Sequence, residues 1–331
     1  MSEHEPIDLS HPDHPDLHGS LARLRQDGPV AAAQLFGHPA FLLTTHEATA
    51  AALADEDRFS AIGGPQRDDP YIGRVMTSYD YEEHRLHRRL TARALRSREV
   101  LGITEHLADD VAGRLVAQLP DEIDLMEDYA IPFSYRVVAR LIGVGSEDEG
   151  EVAGLGRDLI EIGADPDRAR AASVALGERF GRMVDAAMSS TGDGPTLVEQ
   201  LVAAEVDGKR LDREDVISFC RLMFGNGADS TSHGLGILLA FALDNPSDFA
   251  SASVHAVLTE CLRWEPPVPA VIRQCRQDTV FAGEEIPGGS IVLFGIAAAN
   301  RDPAVFDRPD EFDPARGSTP CSRHSGSFLL Q

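Results

Sequence analysis

Apolar residues recur at helical spacing along most of the chain. Leu211–Asp244 is the longest predicted helix, because Asp212 can cap its start and Asn245–Pro246 ends it. Further helices are predicted at His18–Asp27, Thr45–Asp55, Val100–Gln118, Pro132–Ile142 and Ser251–Trp264. The pattern therefore predicts a mainly α fold.

Two short regions have strand-like patterns instead. Ala40–Thr44 is a predicted strand, and Thr279–Phe281 and Ser290–Phe294 are predicted strands around a Pro287–Gly288–Gly289 turn. Residues 300–316 are rich in Pro, Asp and Arg and are predicted to form an ordered meander. The predicted fold class is mainly α with a small β region, in one domain over residues 18–316 after a flexible polar leader at residues 1–17.

Length, net charge and apolar runs bear on the size of the core, on the kinds of partner and on the location of the protein. The chain has 331 residues, 43% of them hydrophobic, which is enough for a large core. Its net charge of −24 argues against nucleic acid and anionic membrane surfaces as partners, because both attract basic patches. The longest purely apolar run, Ile237–Leu243, is far shorter than the roughly 20 residues of a membrane-spanning helix. No signal peptide is apparent, so we expect a soluble cytoplasmic protein.

The centre of the longest predicted helix has an unusual composition. Residues 225–233 place two glycines, one aspartate and three hydroxyl residues between apolar stretches. Each glycine costs about 1 kcal/mol relative to alanine inside a helix, and Asp, Ser and Thr compete for backbone hydrogen bonds. The patch is either a break between two helices or a helix opened beside a reaction centre. In the second interpretation, a glycine without a side chain leaves room for a ligand, and an acid next to an alcohol can pass protons to it.

Two pairs of polar residues at helical spacing lie in the sequence, one before this patch and one after it. His84 and Arg88 are four residues apart and share a helix face, as do Glu260 and Arg263 at a spacing of three. Such pairs alone are common on solvated surfaces. In this chain the pairs are followed by Arg273 and then by the segments Asn300–Pro303 and Phe312–Arg316.

This order of motifs resembles the cytochrome P450 family of haem-thiolate monooxygenases, in its soluble bacterial branch. The resemblance runs from roughly His18 to Arg316. Residues 226–231 resemble the family's oxygen-activating helix motif. Asn226 departs from it where a small residue is usual, and Ser230 replaces the usual threonine, which keeps the hydroxyl but loses the methyl that restrains the rotamer.

The resemblance implies a role for each matched residue. The implied proton-delivering residues are Asp229, Ser230 and Thr231. The implied contacts of a haem b cofactor are His84, Arg88 and Arg273, since propionates need cationic donors. The implied structural triad is Glu260, Arg263 and Arg316.

The resemblance also implies a fold and a reaction. The fold would be the family's mainly helical triangular prism with a small β region at one side. The reaction would insert one oxygen atom of dioxygen into a small organic substrate, by hydroxylation or epoxidation. Electrons would come from NAD(P)H through a ferredoxin and its reductase, and secondary metabolites are a candidate substrate class by analogy alone.

The segment after Arg316 departs from the family. A glycine-rich loop should supply a cysteine thiolate to the iron, followed by a further helix, but residues 317–331 do not match that loop. Cys321 is the only thiol there; we do not expect it to be the ligand, because it lies about ten residues early and lacks the shaping glycines. As given, the chain is therefore expected to be inactive.

Three explanations of this departure stay open. The chain is an incomplete or frameshifted form of a normal monooxygenase, a haem-free helper that binds and stabilises a glycosyltransferase, or a non-functional remnant. A helper has no need of haem-contacting arginines or of a proton-delivering acid. Arg88, Arg273 and Asp229 are all present, so the sequence favours the first explanation.

Overall fold

A computed structural model describes residues 6–9, 14–60, 70–76, 79, 81–161, 164–190, 194–246, 249 and 252–316. The chain divides into two compact units, one made of residues 1–64 with 237–331 and the other of residues 65–236. The predicted boundaries of a leader, one domain at 18–316 and a tail at 317–331 stay predictions.

The described helices and strands follow in chain order. The α-helices are α1 (Leu17–Asp27), α2 (His46–Leu53), α3 (Tyr81–Leu95), α4 (Arg98–Val116), α5 (Ile131–Ile142), α6 (Glu149–Ile160), α7 (Pro166–Ser189), α8 (Leu197–Ala203), α9 (Arg213–Met223), α10 (Ser230–Asp244), α11 (Val254–Trp264) and α12 (Ile296–Asn300). Two π-helical segments, Leu125–Ala130 and Phe224–Asp229, and a 3₁₀ turn, Pro314–Arg316, accompany them. The strands are β1 (Ile7–Asp8), β2 (Val30–Leu35), β3 (His38–Leu43), β4 (Phe59–Ser60), β5 (Ala270–Cys275), β6 (Thr279–Phe281), β7 (Glu284–Ile286) and β8 (Ile291–Gly295).

The longest predicted helix is continuous, so the interpretation as a break between two helices is wrong. α9 begins with the predicted cap, a capping box in which the Asp212 side chain accepts a hydrogen bond from the Asp215 backbone N–H and the Asp215 side chain accepts one from the Asp212 backbone N–H. The chain then passes through the π-helical segment Phe224–Asp229 directly into α10, which ends before Asn245. The glycine and hydroxyl residues change the helix type without ending the helix.

The main sheet has the strand order β1-β2-β3-β8-β5-β4. β8 runs parallel to β3 and antiparallel to β5, which places Arg273 opposite Val292. The sequence analysis placed Thr279–Phe281 and Ser290–Phe294 around one turn, but β6 pairs with β7 instead. The reason is a two-residue hairpin at Ala282 and Gly283, both at positive φ, a turn that suits the twist of the strands.

Part of the predicted flexible leader lies in this sheet. β1 pairs in parallel with β2, with Ile7 opposite Ala33, and the Ile7 side chain is buried. α1 begins as predicted, because the Asp16 side chain accepts a hydrogen bond from the Gly19 backbone N–H. Among the described residues, no helix is both long and apolar enough to cross a membrane.

The unit of residues 65–236 has a separate helical core. Its largest fully buried side chains include Phe180 on α7 and Phe224 at the start of the second π segment. Their rings stack with centroids 6.3 Å apart, and the Tyr135 ring on α5 also stacks with Phe224, at 6.0 Å. This aromatic packing fixes the π segment against α5 and α7.

Candidate active site

The hydroxyl residues after the π segment bind its carbonyl groups. Ser230 Oγ donates to the Asn226 carbonyl at 2.8 Å, and Thr231 Oγ1 donates to the Gly227 carbonyl at 2.5 Å. A π segment disturbs the regular i to i−4 pattern, so side-chain donors can serve carbonyls there. Ser230 is buried and Thr231 is exposed. The three predicted catalytic residues are thus contiguous where the π segment ends.

The acid of this group has two partners that the sequence analysis did not find. Tyr135 Oη donates to Asp229 Oδ1 at 3.4 Å, and His233 Nδ1 lies 3.7 Å from Asp229 Oδ2. Burial, with the charge of Asp229, raises the pKa of the Tyr135 phenol well above its ordinary value. His233 could have been found from its i+4 spacing, but nothing in the sequence connects Tyr135 to Asp229.

The glycines of the π segment serve packing. A Cβ on Gly225 would lie 3.0 Å from Ile160 Cδ1, and one on Gly227 would lie 3.2 Å from Met223 Cε. The sequence analysis associated these glycines with space for a ligand. The structure shows instead that a larger side chain would press on neighbouring helices.

Two predicted haem contacts, His84 and Arg88, lie on α3. Both side chains are partly buried. Arg89, the next arginine along, pairs with Asp207 at 2.8 Å. Arg88 has no ion pair with any residue that the structure describes. It is therefore a cation with capacity for an anionic group.

The third predicted contact, Arg273, lies on β5. Its Nη1 donates to the Ile272 carbonyl at 2.9 Å, and its guanidinium lies 5.9 Å from the Phe294 ring centroid. Burial lowers the pKa of Arg273, opposed by the charge of Glu56. Within the described part of the chain no carboxylate lies within ion-pair distance of it. A guanidinium of this kind can donate to a carboxylate such as a haem propionate, and the assignment of that role to Arg273 stays a prediction.

The predicted structural triad is brought together in the unit that contains α11. Arg263 forms a two-pronged ion pair with Glu260, at 2.7 and 2.8 Å, and both side chains are almost fully buried. Arg316 Nε lies 3.4 Å from the same carboxylate. Arg263 also donates to the carbonyls of Asn300 at 2.9 Å and Pro309 at 2.8 Å. Glu260 and Arg263 thereby tie the meander to α11.

The described cysteines are poor candidates for a thiolate ligand. Cys220, Cys261 and Cys275 are buried, and burial raises the pKa of Cys220 and of Cys261 to about 12. Cys321 and the rest of the tail at 317–331 lie outside the described residues. The predicted absence of a matching ligand loop therefore stays a prediction.

Comparison with known proteins identifies relatives of this chain. A model of the cytochrome P450 family matches residues 253–329. Nocardicin C N-oxygenase of Nocardia uniformis subsp. tsuyamanensis is 30% identical over 323 residues, which cover 92% of this chain and 80% of the relative. Cytochrome P450 105C1 of a Streptomyces species is 30% identical over 314 residues, which cover 90% and 78%.

Solved structures show the same fold. The ligand-free P450 monooxygenase TamI matches with a TM-score of 0.84 and 25% identity, covering 98% of this chain and 86% of that one. The predicted fold class, mainly α with a small β region, is confirmed by this likeness and by the observed elements.

Proposed function

This chain belongs to the cytochrome P450 family of haem-dependent monooxygenases, and we propose that it inserts one oxygen atom of dioxygen into a small organic substrate by hydroxylation or epoxidation. One relative is named for N-oxygenation of nocardicin C, which supports secondary metabolites as the substrate class. This relative and the solved structure of TamI are named as oxygenases, which favours this function over the haem-free helper.

The observation that carries the proposal is the π segment that ends in Asp229. An acid, a buried hydroxyl at Ser230 and an exposed hydroxyl at Thr231 follow one another there, which is the set of groups needed to hold and pass protons. In this proposal Asp229 donates a proton, and the hydroxyls of Ser230 and Thr231 hold its path in place. Haem, when bound, supplies the iron at which dioxygen is activated.

The cofactor would be held by the cations identified above. Arg88 and Arg273 would each donate to a propionate, with His84 beside Arg88 on the same helix face. Glu260, Arg263 and Arg316 would keep their structural role and would not touch the reacting atoms. A bound haem should then raise the free energy of unfolding, because ligands that bind only the folded state stabilise it.

The electron donor proposed is a ferredoxin, which its reductase reduces with NAD(P)H. α3 and its C-terminal end carry exposed arginines at spacings of four, four and three residues, which places them on one face: Arg85, Arg89, Arg93 and Arg96. We call this set the arginine stripe. Arg85 pairs with Glu82 and Arg89 with Asp207, whereas Arg93 and Arg96 have no ion pair with a described residue. In a chain of net charge −24, the Arg93–Arg96 end of the stripe is a local basic surface suited to an acidic protein. A cytoplasmic location follows from this choice of donor.

The function is tested with isotopically labelled dioxygen. The complete gene product, loaded with haem, is incubated with ferredoxin, reductase, NADPH and a set of candidate secondary metabolites under ¹⁸O₂. Mass spectrometry should find one ¹⁸O atom in a product, and Asp229→Asn should lower the rate of product formation by about a hundredfold. Haem-loaded protein that consumes no dioxygen with any substrate would overturn the proposal.

A further inference from the structure

The Asp229 carboxylate lies between one buried and one exposed side chain. Tyr135, on α5, contacts Oδ1 at 3.4 Å, and His233, on α10, faces Oδ2 at 3.7 Å. The Tyr135 residue is only 3% exposed, whereas the His233 side chain is 52% exposed. Oδ1 therefore faces a buried group and Oδ2 faces a group in contact with solvent, while the Asp229 side chain is itself 38% exposed.

Tyr135 is a fixed donor. Its ring stacks on the fully buried Phe224 ring, which restrains its orientation. Burial and the charge of Asp229 raise the pKa of the phenol, so the hydroxyl keeps its proton at all working pH values. It can donate to Asp229 Oδ1 but cannot exchange a proton with it.

Arg157, an arginine whose charge acts on Tyr135, is engaged by other carboxylates. Arg157 on α6 forms a two-pronged pair with Glu127, at 2.6 and 2.8 Å, and lies 3.5 Å from Glu161. The positive charge of Arg157 is therefore neutralised by these two carboxylates. Within the described residues, Tyr135 and His233 are thus the groups in direct reach of the Asp229 carboxylate.

We propose that Tyr135 positions the Asp229 carboxyl group in one orientation and that His233 returns the proton which Asp229 gives up in each turnover. This inference rests on the proposed function, because it assigns the source of the proton that Asp229 donates. After donation Asp229 is a carboxylate. The His233 imidazolium transfers its Nδ1 proton to Oδ2, and the neutral imidazole takes a proton from water at its exposed edge. Histidine suits this exchange because its two protonation states are both accessible near neutral pH.

The positioning role is tested without turnover. The Asp229 carboxylate is observed by infrared difference spectroscopy, with its stretching band assigned by its loss in Asp229→Asn. Tyr135→Phe keeps the ring stack and removes the donor, so it should shift the frequency of this band, because Oδ1 loses a hydrogen bond. The matched control Tyr129→Phe, which changes a tyrosine stacked on Phe133, should leave the band unchanged. An unchanged band in Tyr135→Phe would overturn the positioning role.

The relay role is tested in the haem-loaded enzyme. His233→Asn should lower kcat by about tenfold, leave KM unchanged, and raise the solvent deuterium isotope effect, because proton return becomes slow. The control His255→Asn, at an exposed position on α11, should match the parent in all three. A His233→Asn enzyme with the parent's kcat and isotope effect would overturn the relay.

The proposed function and the roles of Tyr135 and His233 can fail separately. If the haem-loaded parent oxygenates its substrate but neither variant differs from its control, these roles fail and the proposed function stands. If the parent forms no oxygenated product, the proposed function fails, while the infrared band of Asp229 in Tyr135→Phe still decides the Tyr135 contact.

Discussion

At the scale of single residues, Arg263 belongs to a short helical motif and joins its helix to a meander distant in the sequence. The Glu260–Arg263 spacing predicts a pair on one helix face, and the structure buries that pair. The remaining guanidinium donors bind the carbonyls of Asn300, Pro309 and Glu311. These acceptors are backbone atoms from a meander without periodicity, so no side-chain pattern could have identified them. The spacing of Glu260 and Arg263 alone does not show whether the pair is buried or lies on the solvated surface.

Removing Arg263 should be strongly destabilising. Arg263→Ala leaves a buried carboxylate at Glu260 and several unpaired carbonyls, which should cost about 3–5 kcal/mol in the free energy of unfolding. Arg89→Ala breaks an exposed pair with Asp207 and should cost under about 1 kcal/mol. Urea unfolding measures both, together with haem content. A well-folded Arg263→Ala protein with altered regioselectivity would contradict the structural role.

The candidate acid, Asp229, can be identified from the sequence, whereas its partner Tyr135 cannot. Asp229 and its hydroxyl neighbours are contiguous, so a motif identifies them. Tyr135 reaches the same carboxylate from 94 residues away through the packing of α5. Only the folded arrangement of helices brings the two together, and a lone tyrosine on an amphipathic helix is ordinarily a core residue.

At the scale of elements, composition predicted that the long helix is disturbed but did not predict how. Helix propensity is a local property, and it correctly marks residues 225–233 as unfavourable. Whether such a patch breaks the helix or becomes a π segment depends on tertiary packing. Phe224 is fully buried and stacks with Phe180, which holds the chain in helical continuity. The hydroxyl of Ser230 then binds a carbonyl inside the segment.

Two glycines of α6 should respond oppositely to alanine. A Cβ on Gly156 would lie 2.4 Å from the buried Phe224 ring, so Gly156→Ala should lower the free energy of unfolding by about 1–3 kcal/mol. Gly154 is exposed with open space at its Cβ, so Gly154→Ala should raise it by about 0.5–1 kcal/mol. Chemical denaturation compares the pair on one helix. Equal effects of the same sign would refute the claimed contact.

α3 and α9 are joined by a titratable contact. His87 Nε2 lies 3.2 Å from Asp215 Oδ2, and Tyr79 Oη donates to Asp215 Oδ1 at 2.7 Å. Burial lowers the pKa of His87, but Asp215 and the Glu83 carbonyl raise it above its ordinary value. Burial opposes the shift at Asp215, where the His87 and Tyr79 hydrogen bonds lower the pKa. Both groups are therefore favoured in their charged forms.

This contact predicts a pH-dependent stability. The His87 contribution is complete below about pH 6.5 and is lost as pH rises through its raised folded pKa, while the Asp215 contribution is lost as pH falls below about 4. The difference in free energy of unfolding between the parent and His87→Asn should thus be largest between these values and shrink at alkaline pH. Urea unfolding at a series of pH values measures it, with the exposed His255→Asn as control. A difference independent of pH would show that the pair is not ionised.

At the scale of the whole molecule, charge distribution is more informative than net charge. The net charge of −24 argues against nucleic acid and anionic membranes as partners of the molecule as a whole. The arginine stripe is a local group of exposed cations within that acidic molecule. Helical spacing predicted most of the helices, since periodicity reports directly on a buried face. The strand β2 was missed because three of its six residues are alanine, which has low strand propensity. The strand β5 was missed because its partner β4 is distant in sequence. The arrangement of Ser290–Phe294 was wrong because its strand, β8, pairs with β3, which is also distant in sequence.

Charge reversal in the arginine stripe should weaken the electron supply. Arg93→Glu with Arg96→Glu should lower kcat/KM for ferredoxin by about tenfold and flatten its dependence on ionic strength, because electrostatic steering is lost. Substrate affinity should be unchanged. Arg182→Glu, an exposed arginine on α7, changes the net charge by the same amount per residue and should have little effect. If it matches the double variant, net charge rather than the stripe governs association.

The central claim is that this chain belongs to a haem-dependent monooxygenase. Its most direct test is the carbon monoxide difference spectrum of the reduced protein, expressed from the source gene with the DNA that follows codon 331. The account predicts stoichiometric haem and the absorption band of a thiolate-ligated iron, with haem content reduced in Arg88→Ala and Arg273→Ala. A folded product that binds no haem and shows no such band would contradict it.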